Sequence, residues 1–426
     1  MNAQPAAAPR SGNLASVLTI GLLFFIFGFV TWLNGPLITF VKLAFDLDDV
    51  NAFLVPMAFY LSYFFLALPA SWLLKRTGMK KGMSLGLFVM AAGALAFGQF
   101  ATMRIYPGAL TGLFVIGAGL ALLQTAVNPY ISILGPIESA AQRIAVMGVA
   151  NKAAGILAPW LFATFVMQNI QALGDQVAQA APNEKEILLN EFASKVHSPY
   201  LLMAVVLAFL AIWIARSSLP EVDVSDANSA TESGTPGEQK SILAYPHLWL
   251  GVLCLFVYVG VEVMAGDAVG TYGQGFHLPL DETKLFTVWT LRLMLVGYVA
   301  GYLLVPRVIS QQRYLAFSAV VGAALSVLAY LTTGYVSVWC VFALGFANAM
   351  MWPAIFPLAI RGLGRYTELG SALLIMAIAG GAVIPQAFVH LKNHYDFQAV
   401  FCAIMLPCYL YIFYYAVRGY AAGRSV

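Results

Sequence analysis

Charge is what this sequence has least of. Of its 426 residues only 10% are Asp, Glu, Lys or Arg, against about a quarter in a soluble domain. That scarcity excludes an ordinary globular enzyme. Cysteine is nearly absent too. Cys254, Cys340, Cys402 and Cys408 lie inside apolar segments with no metal-ligand spacing, so neither a disulfide framework nor a metal site is expected. No Ser-His-Asp constellation is present, and the glycine-rich runs lack the lysine-serine that completes a phosphate loop. His197, His247, His277, His390 and His394 fall at segment ends and are read as surface residues. A net charge of +3 singles out no partner, and none of nucleic-acid type is expected.

What fills the space is apolar sequence, 61% of the chain, arranged in blocks of roughly 20 residues, the length that crosses a bilayer core. The weak alternation of an outer-membrane barrel is missing. The chain therefore reads as an all-α polytopic membrane protein with its partner lipid bilayer around it. Twelve spans are placed at 16–41, 52–74, 83–102, 107–134, 143–168, 198–216, 247–273, 284–306, 313–333, 336–361, 368–391 and 396–418. The polar stretch RSSLPEVDVSDANSATESGTPGEQKS divides them. Residues 1–216 form one six-helix half, 217–246 a cytoplasmic linker, and 247–426 a second half. The start, MNAQPAAAPRSGN, reads as a polar tail without a cleaved signal peptide. Basic residues such as Arg10, Lys75, Arg76, Lys80, Lys81, Arg143, Arg216, Arg307, Arg313, Arg361 and Arg418 cluster on one side, placing both termini in the cytoplasm of a bacterial-type inner membrane. The outer segment 168–197 is read either as a short amphipathic helix or as plain loop.

One stretch organises the rest. GAGLALLQTAVNPYISILGP carries Gln124, Thr125, Asn128 and Pro129 in mid-span, and polar amides at that depth are costly unless they face a partner or a wet cavity. ALGFANAMMWPAIFPLAIRGLG repeats its build, with Gln124 matching Asn348 and Pro129 matching Pro353. AAGILAPW and AGGAVIPQ repeat at the same offset of about 225 residues. Two six-helix parallel repeats are thus expected.

That layout resembles the major facilitator superfamily, and ASWLLKRTGMKKG is similar to its signature loop, with Lys75 where an acidic residue is usual. A sharper resemblance is to the fucose/galactose/glucose symporter family. It is carried by FFIFGFVTWLNGPLITF, LLQTAVNPYISILGP and FVYVGVEVMAGDAVG and extends over essentially the whole chain. TWLNGPL, GVANKAAG and AGDAVG look closest to its glucose/galactose and N-acetylglucosamine permeases. The resemblance implies a secondary active sugar symporter working by alternating access. The family's proton-coupled fucose permeases carry aspartate at the position of Gly35 and glutamate at that of Gln124. Neither glycine nor glutamine titrates, which excludes coupling through that pair.

Charges within the spans are Lys152, Glu262, Asp267 and Arg292; their sum is zero, which suits mutual pairing. At 1.5 Å per residue, Glu262 lies about 22 Å from the inner end of its helix and Arg292 about 13 Å from the outer end of the next. An Arg292–Glu262 pair is expected from that shared depth. Lys152 falls within reach of the central cavity. Asp267 is read as a Na⁺ ligand, an outer-gate residue or a wetted residue near a helix end, and Glu262 as a structural partner or a coupling group. Either carboxylate suits Na⁺ or a proton, with Na⁺ slightly ahead because the first half lacks both acids. No other cofactor is expected. A proton-linked hexose or fucose carrier is the alternative, and a metabolite or drug antiporter a more distant one.

Sugars require amides for their hydroxyls and aromatic faces for their C–H side. Asn34, Gln124, Asn128, Asn151, Asn348 and Gln386, with Trp32 and Trp352, supply that mixture. Gln124 and Asn128, four apart, share a helix face. Each amide alone could equally be interhelical glue, and Asn128 could cap carbonyls freed by Pro129. A monomer is expected.

Overall fold

The computed structural model describes residues 14–133, 140–217 and 241–423. All regular structure among them is helical, and twelve helices are long and apolar enough to cross a membrane. The expected linker at 217–246 falls largely outside the described residues. An even number of antiparallel spans brings both ends of the described chain to one face, called here the terminus-bearing face. Apolar side chains such as Leu202 (65% exposed) and Phe209 (66%) cover the outside of the bundle. That is a surface suited to lipid.

Four spans are broken within their length, where neighbouring helices and cavities accommodate irregular backbone. Span one runs Leu14–Thr31 and resumes at Asn34–Ala44. Span seven runs Pro246–Gly266 and resumes at Val269–Gln274. Span ten breaks between Gly334–Asn348 and Met351–Ile360, just before Pro353, which has no N–H for the preceding turn. Span eleven passes from Thr367–Met376 through a turn of 3₁₀ helix into Gly380–Leu391. The first span of each set of six is therefore interrupted in a corresponding place.

The two sets meet along spans two and eleven and along spans five and eight. Their seam is sealed at the face opposite the termini. Asp49 accepts an ion pair from Lys42 at 2.5 Å and another from Lys392 across the seam. Gln386 Nε2 donates to the Val50 carbonyl at 3.2 Å, and Lys42 Nζ to Gln274 Oε1 at 3.4 Å. The segment 168–197 is two helices, Ile170–Gln179 and Pro182–Ser194, and not plain loop. It is pinned by Arg104–Glu186 at 2.5 Å and Lys185–Asp46 at 2.6 Å. The segment and the residue before it also reach the second set: the Leu280 amide donates to Gln171 Oε1 at 2.9 Å and Lys284 Nζ to the Met167 carbonyl at 2.9 Å.

On the terminus-bearing face the seam holds Lys75–Glu368 at 3.2 Å and Gln142 Nε2 donating to the Tyr302 carbonyl at 3.1 Å. The lysine that replaces an acid in the loop after span two thus finds its acid in the opposite set. His247 is not a surface residue: it is buried, with Nε2 against the Arg361 carbonyl at 3.1 Å.

Candidate functional site

A cavity of about 90 Å³ lies at the seam and is partly open. Its wall includes Phe24, Ile144 and Asn128 on the side of the termini and stops near Trp32, Tyr60 and Glu262. Beyond these lies the sealed face. The cavity therefore belongs to the terminus-bearing half of the bundle.

Span four brings Gln124 and Asn128 to the wall on one face, as their spacing requires. Gln124 Nε2 donates to the Tyr63 hydroxyl at 3.1 Å. Asn128 Nδ2 donates to the Gln124 carbonyl at 3.1 Å, a backbone bond within its own helix. Asn151 also lines the cavity, but both ends of its amide are engaged by span one. Its Oδ1 accepts the Trp32 indole N–H at 3.3 Å and its Nδ2 donates to the Phe24 carbonyl at 3.2 Å. Trp352 stands on the wall from span ten, stacked on Phe356 with ring centroids 5.8 Å apart.

The charge centre is an ion pair between the two sets. Lys152 Nζ meets Glu262 Oε1 at 3.1 Å, with only 6% and 13% of the two side chains exposed. The ammonium also lies 4.2 Å from the centre of the Trp32 ring, a distance at which the ring quadrupole attracts it. A lysine and a glutamate from opposite sets, over one indole, form a contact that any rocking of the sets must stretch or break.

The structure departs from four expectations. Arg292 does not pair with Glu262: it is exposed, its guanidinium 4.5 Å from the Trp289 ring on the outside of the bundle. Equal depth does not fix the direction a side chain takes around its helix. Asn348 is fully buried away from the cavity, accepting the Tyr409 hydroxyl at 2.9 Å. Gln386 sits in the seal against Val50, not on the cavity. Asn34 is buried and does not line the cavity. It stands one residue before Gly35, at the break of span one.

Asp267 and Glu262 have separate surroundings. Glu262 holds Lys152, whereas Asp267 Oδ2 accepts the Tyr60 hydroxyl at 3.2 Å. Among the described residues no group of three or more His, Cys, Asp or Glu is placed to hold a metal ion. The tyrosines of the wall, Tyr60, Tyr63, Tyr258 and Tyr298, were not among the residues expected from sequence. Their signal was available: Tyr60 and Tyr63, three apart, share a face of span two.

The sequence matches the family model described as Major Facilitator Superfamily over residues 20–387. It is 35% identical over 414 residues to a glucose/galactose transporter of Brucella abortus biovar 1 (strain 9-941), covering 95% of this chain and 94% of that one. It is 28% identical over 366 residues to the L-fucose-proton symporter of Escherichia coli (strain K12), covering 85% and 83%. Its fold superposes on the crystal structure of FucP, a transporter of the same superfamily in the outward conformation, with a TM-score of 0.75 and 25% identity. That match covers 95% of this chain and 98% of that one.

Proposed function

This chain belongs to the major facilitator superfamily, and from that premise we propose that it is a cation-coupled sugar symporter of the glucose/galactose/N-acetylglucosamine class. It is a transporter and not an enzyme. The observation that carries the reading is the composition of the cavity: the amides of Gln124 and Asn128, a Lys152–Glu262 pair and the rings of Trp32, Trp352 and Tyr63 on one wall. Hydroxyl-rich ligands require such donors and acceptors, and aromatic rings accept their C–H faces.

The cycle follows from the two faces. With the seal around Asp49 closed, the cavity belongs to the terminus-bearing side, which the positive-inside rule places in the cytoplasm of a bacterial inner membrane. Opening the seal and closing the Lys75–Glu368 side exposes the same residues to the outside. Sugar and cation enter together there and leave together inside. Lys152–Glu262 lies between the sets, so sugar hydroxyls compete for both charges and make the pair sensitive to occupancy. One chain completes the cavity, and the monomer is the working unit.

The cation is handled in the second set of spans, since Gly35 and Gln124 do not titrate. Na⁺ is placed ahead of H⁺. Proton-coupled hexose or fucose symport is the second reading, favoured by the likeness to the Escherichia coli symporter. Drug antiport fits less well, because the cavity wall carries amides and an ion pair where a greasy pocket is needed. Labelled glucose, galactose and N-acetylglucosamine uptake into proteoliposomes, with Na⁺ and pH gradients imposed separately, tests the reading. Accumulation of at least one sugar under one gradient is expected; no accumulation under either contradicts it.

A further inference from the structure

We infer that Asp267 is the binding site of the co-transported monovalent cation. The inference rests on the symport reading above and assigns its ion to a place in the fold.

Asp267 follows the last residue of the helix Pro246–Gly266, at the break of span seven. It is 2% exposed. Oδ2 accepts the Tyr60 hydroxyl, and the Gly35 backbone N–H faces the carboxylate from span one. The nearby charges are already matched to each other, since Lys152 pairs with Glu262, and Arg292 is on the outside of the bundle. No basic side chain among the described residues forms an ion pair with Asp267. An ionised carboxylate removed from water with only neutral donors around it is costly. A bound proton or a metal ion of single charge offsets that cost.

The surroundings suit that role. A Cβ on Gly35 would lie 3.3 Å from Asp267 Oδ1 and 2.4 Å from Thr287 Oγ1. The backbone of span one therefore packs directly against these two oxygens, with no room for a side chain at position 35. Thr287 and Thr290 donate their hydroxyls to the carbonyls of Gly266 and Ala265 at 2.8 and 2.9 Å, which adds oxygen density at the same helix end. The carbonyl end of a helix carries partial negative charge, and broken half-helices place such ends at coupling ions in transporters. Asn34, buried on span one, faces the Tyr60 hydroxyl that Asp267 accepts. Tyr60 comes from span two, so both sets contribute to the site and its integrity depends on their relative position.

Trp32 connects this site to the cavity. A Cβ on Gly266 would lie 2.4 Å from the Trp32 ring, so the indole packs on the residue preceding Asp267. The same ring carries the Lys152 ammonium at 4.2 Å. Movement of the lysine on sugar binding is transmitted to the cation site through one rigid ring.

The test uses Asp267→Asn in full-length protein reconstituted in proteoliposomes, beside wild type. Accumulation is driven by a Na⁺ gradient at matched pH, or by a pH gradient in Na⁺-free buffer, and the arm that loses its effect identifies the ion. Asp267→Asn is expected to lose accumulation at least tenfold while retaining sugar exchange between equal pools, which moves no net cation. Accumulation equal to wild type overturns the inference. Should Asp267→Asn lose exchange as well, Asp267→Glu decides, because it keeps a carboxylate at the same helix end. Restored accumulation supports the assignment, and failure to restore it counts against it. Failure of wild type to accumulate sugar under either gradient is a different result and removes the symport reading itself.

Discussion

Lys152 and Glu262 meet at 3.1 Å from opposite sets of six spans, over the face of Trp32 and on the wall of the central cavity. The contact neutralises two charges at a depth where neither is tolerable alone. It also ties the sets together at the level where a substrate must bind.

Breaking a buried pair leaves one charge without compensation, a loss of about 3 kcal/mol or more. Lys152→Met and Glu262→Gln are each expected to lower the thermal unfolding midpoint in detergent. The double variant should unfold at a higher temperature than either single one. A double variant less stable than both would show that the residues stabilise the fold independently.

Arg292→Gln provides the contrast. Its guanidinium rests on exposed Trp289, a contact worth about 0.5–1 kcal/mol at such sites. Transport rate and sugar affinity should stay within about twofold of wild type. A loss as deep as that of Lys152→Met would restore Arg292 to the charge network of the cavity.

The contrast between these two residues marks what sequence alone conveys. Twelve spans, their grouping in sixes and the inward position of Gln124, Asn128 and Lys152 follow from run length and helical spacing. Four intramembrane charges summing to zero suggested mutual pairing, and only Lys152 and Glu262 pair. The choice of partner was not, because depth along a helix is read from residue number but direction around it depends on packing. The Gln124–Asn348 repeat likewise locates two equivalent helices without saying that Asn348 turns to Tyr409 inside its own set. Gln386 and Asp49 form a seal because distant loops meet, a relation that no local pattern encodes. The carboxylate of Asp267 standing over Gly35 is of the same kind.

Gln124 has its amide nitrogen on Tyr63 and its side chain on the cavity wall. Gln124→Ala should weaken equilibrium sugar binding by about tenfold or more, the value of one well-made polar contact. Asn348→Ala should leave affinity nearly unchanged, since that amide faces Tyr409. Wild-type affinity in Gln124→Ala would assign the residue to helix packing.

The seal predicts a trap. In a variant lacking the four native cysteines, Val50→Cys with Gln386→Cys should cross-link through disulfides with a short bis-methanethiosulfonate reagent, because the native residues touch at 3.2 Å. Transport should stop on cross-linking and return on reduction. Transport that continues through a fully cross-linked protein would mean that this face does not open during the cycle.

The central claim is that sugar and a cation move together through this cavity, and the current that accompanies sugar addition tests it most directly. Proteoliposomes adsorbed on a solid-supported membrane should give a transient current of inward positive charge on each pulse of a transported hexose. The current should vanish on removal of the coupling cation and in Asp267→Asn. Hexose entry without any charge movement, in protein that demonstrably transports it, would contradict the account.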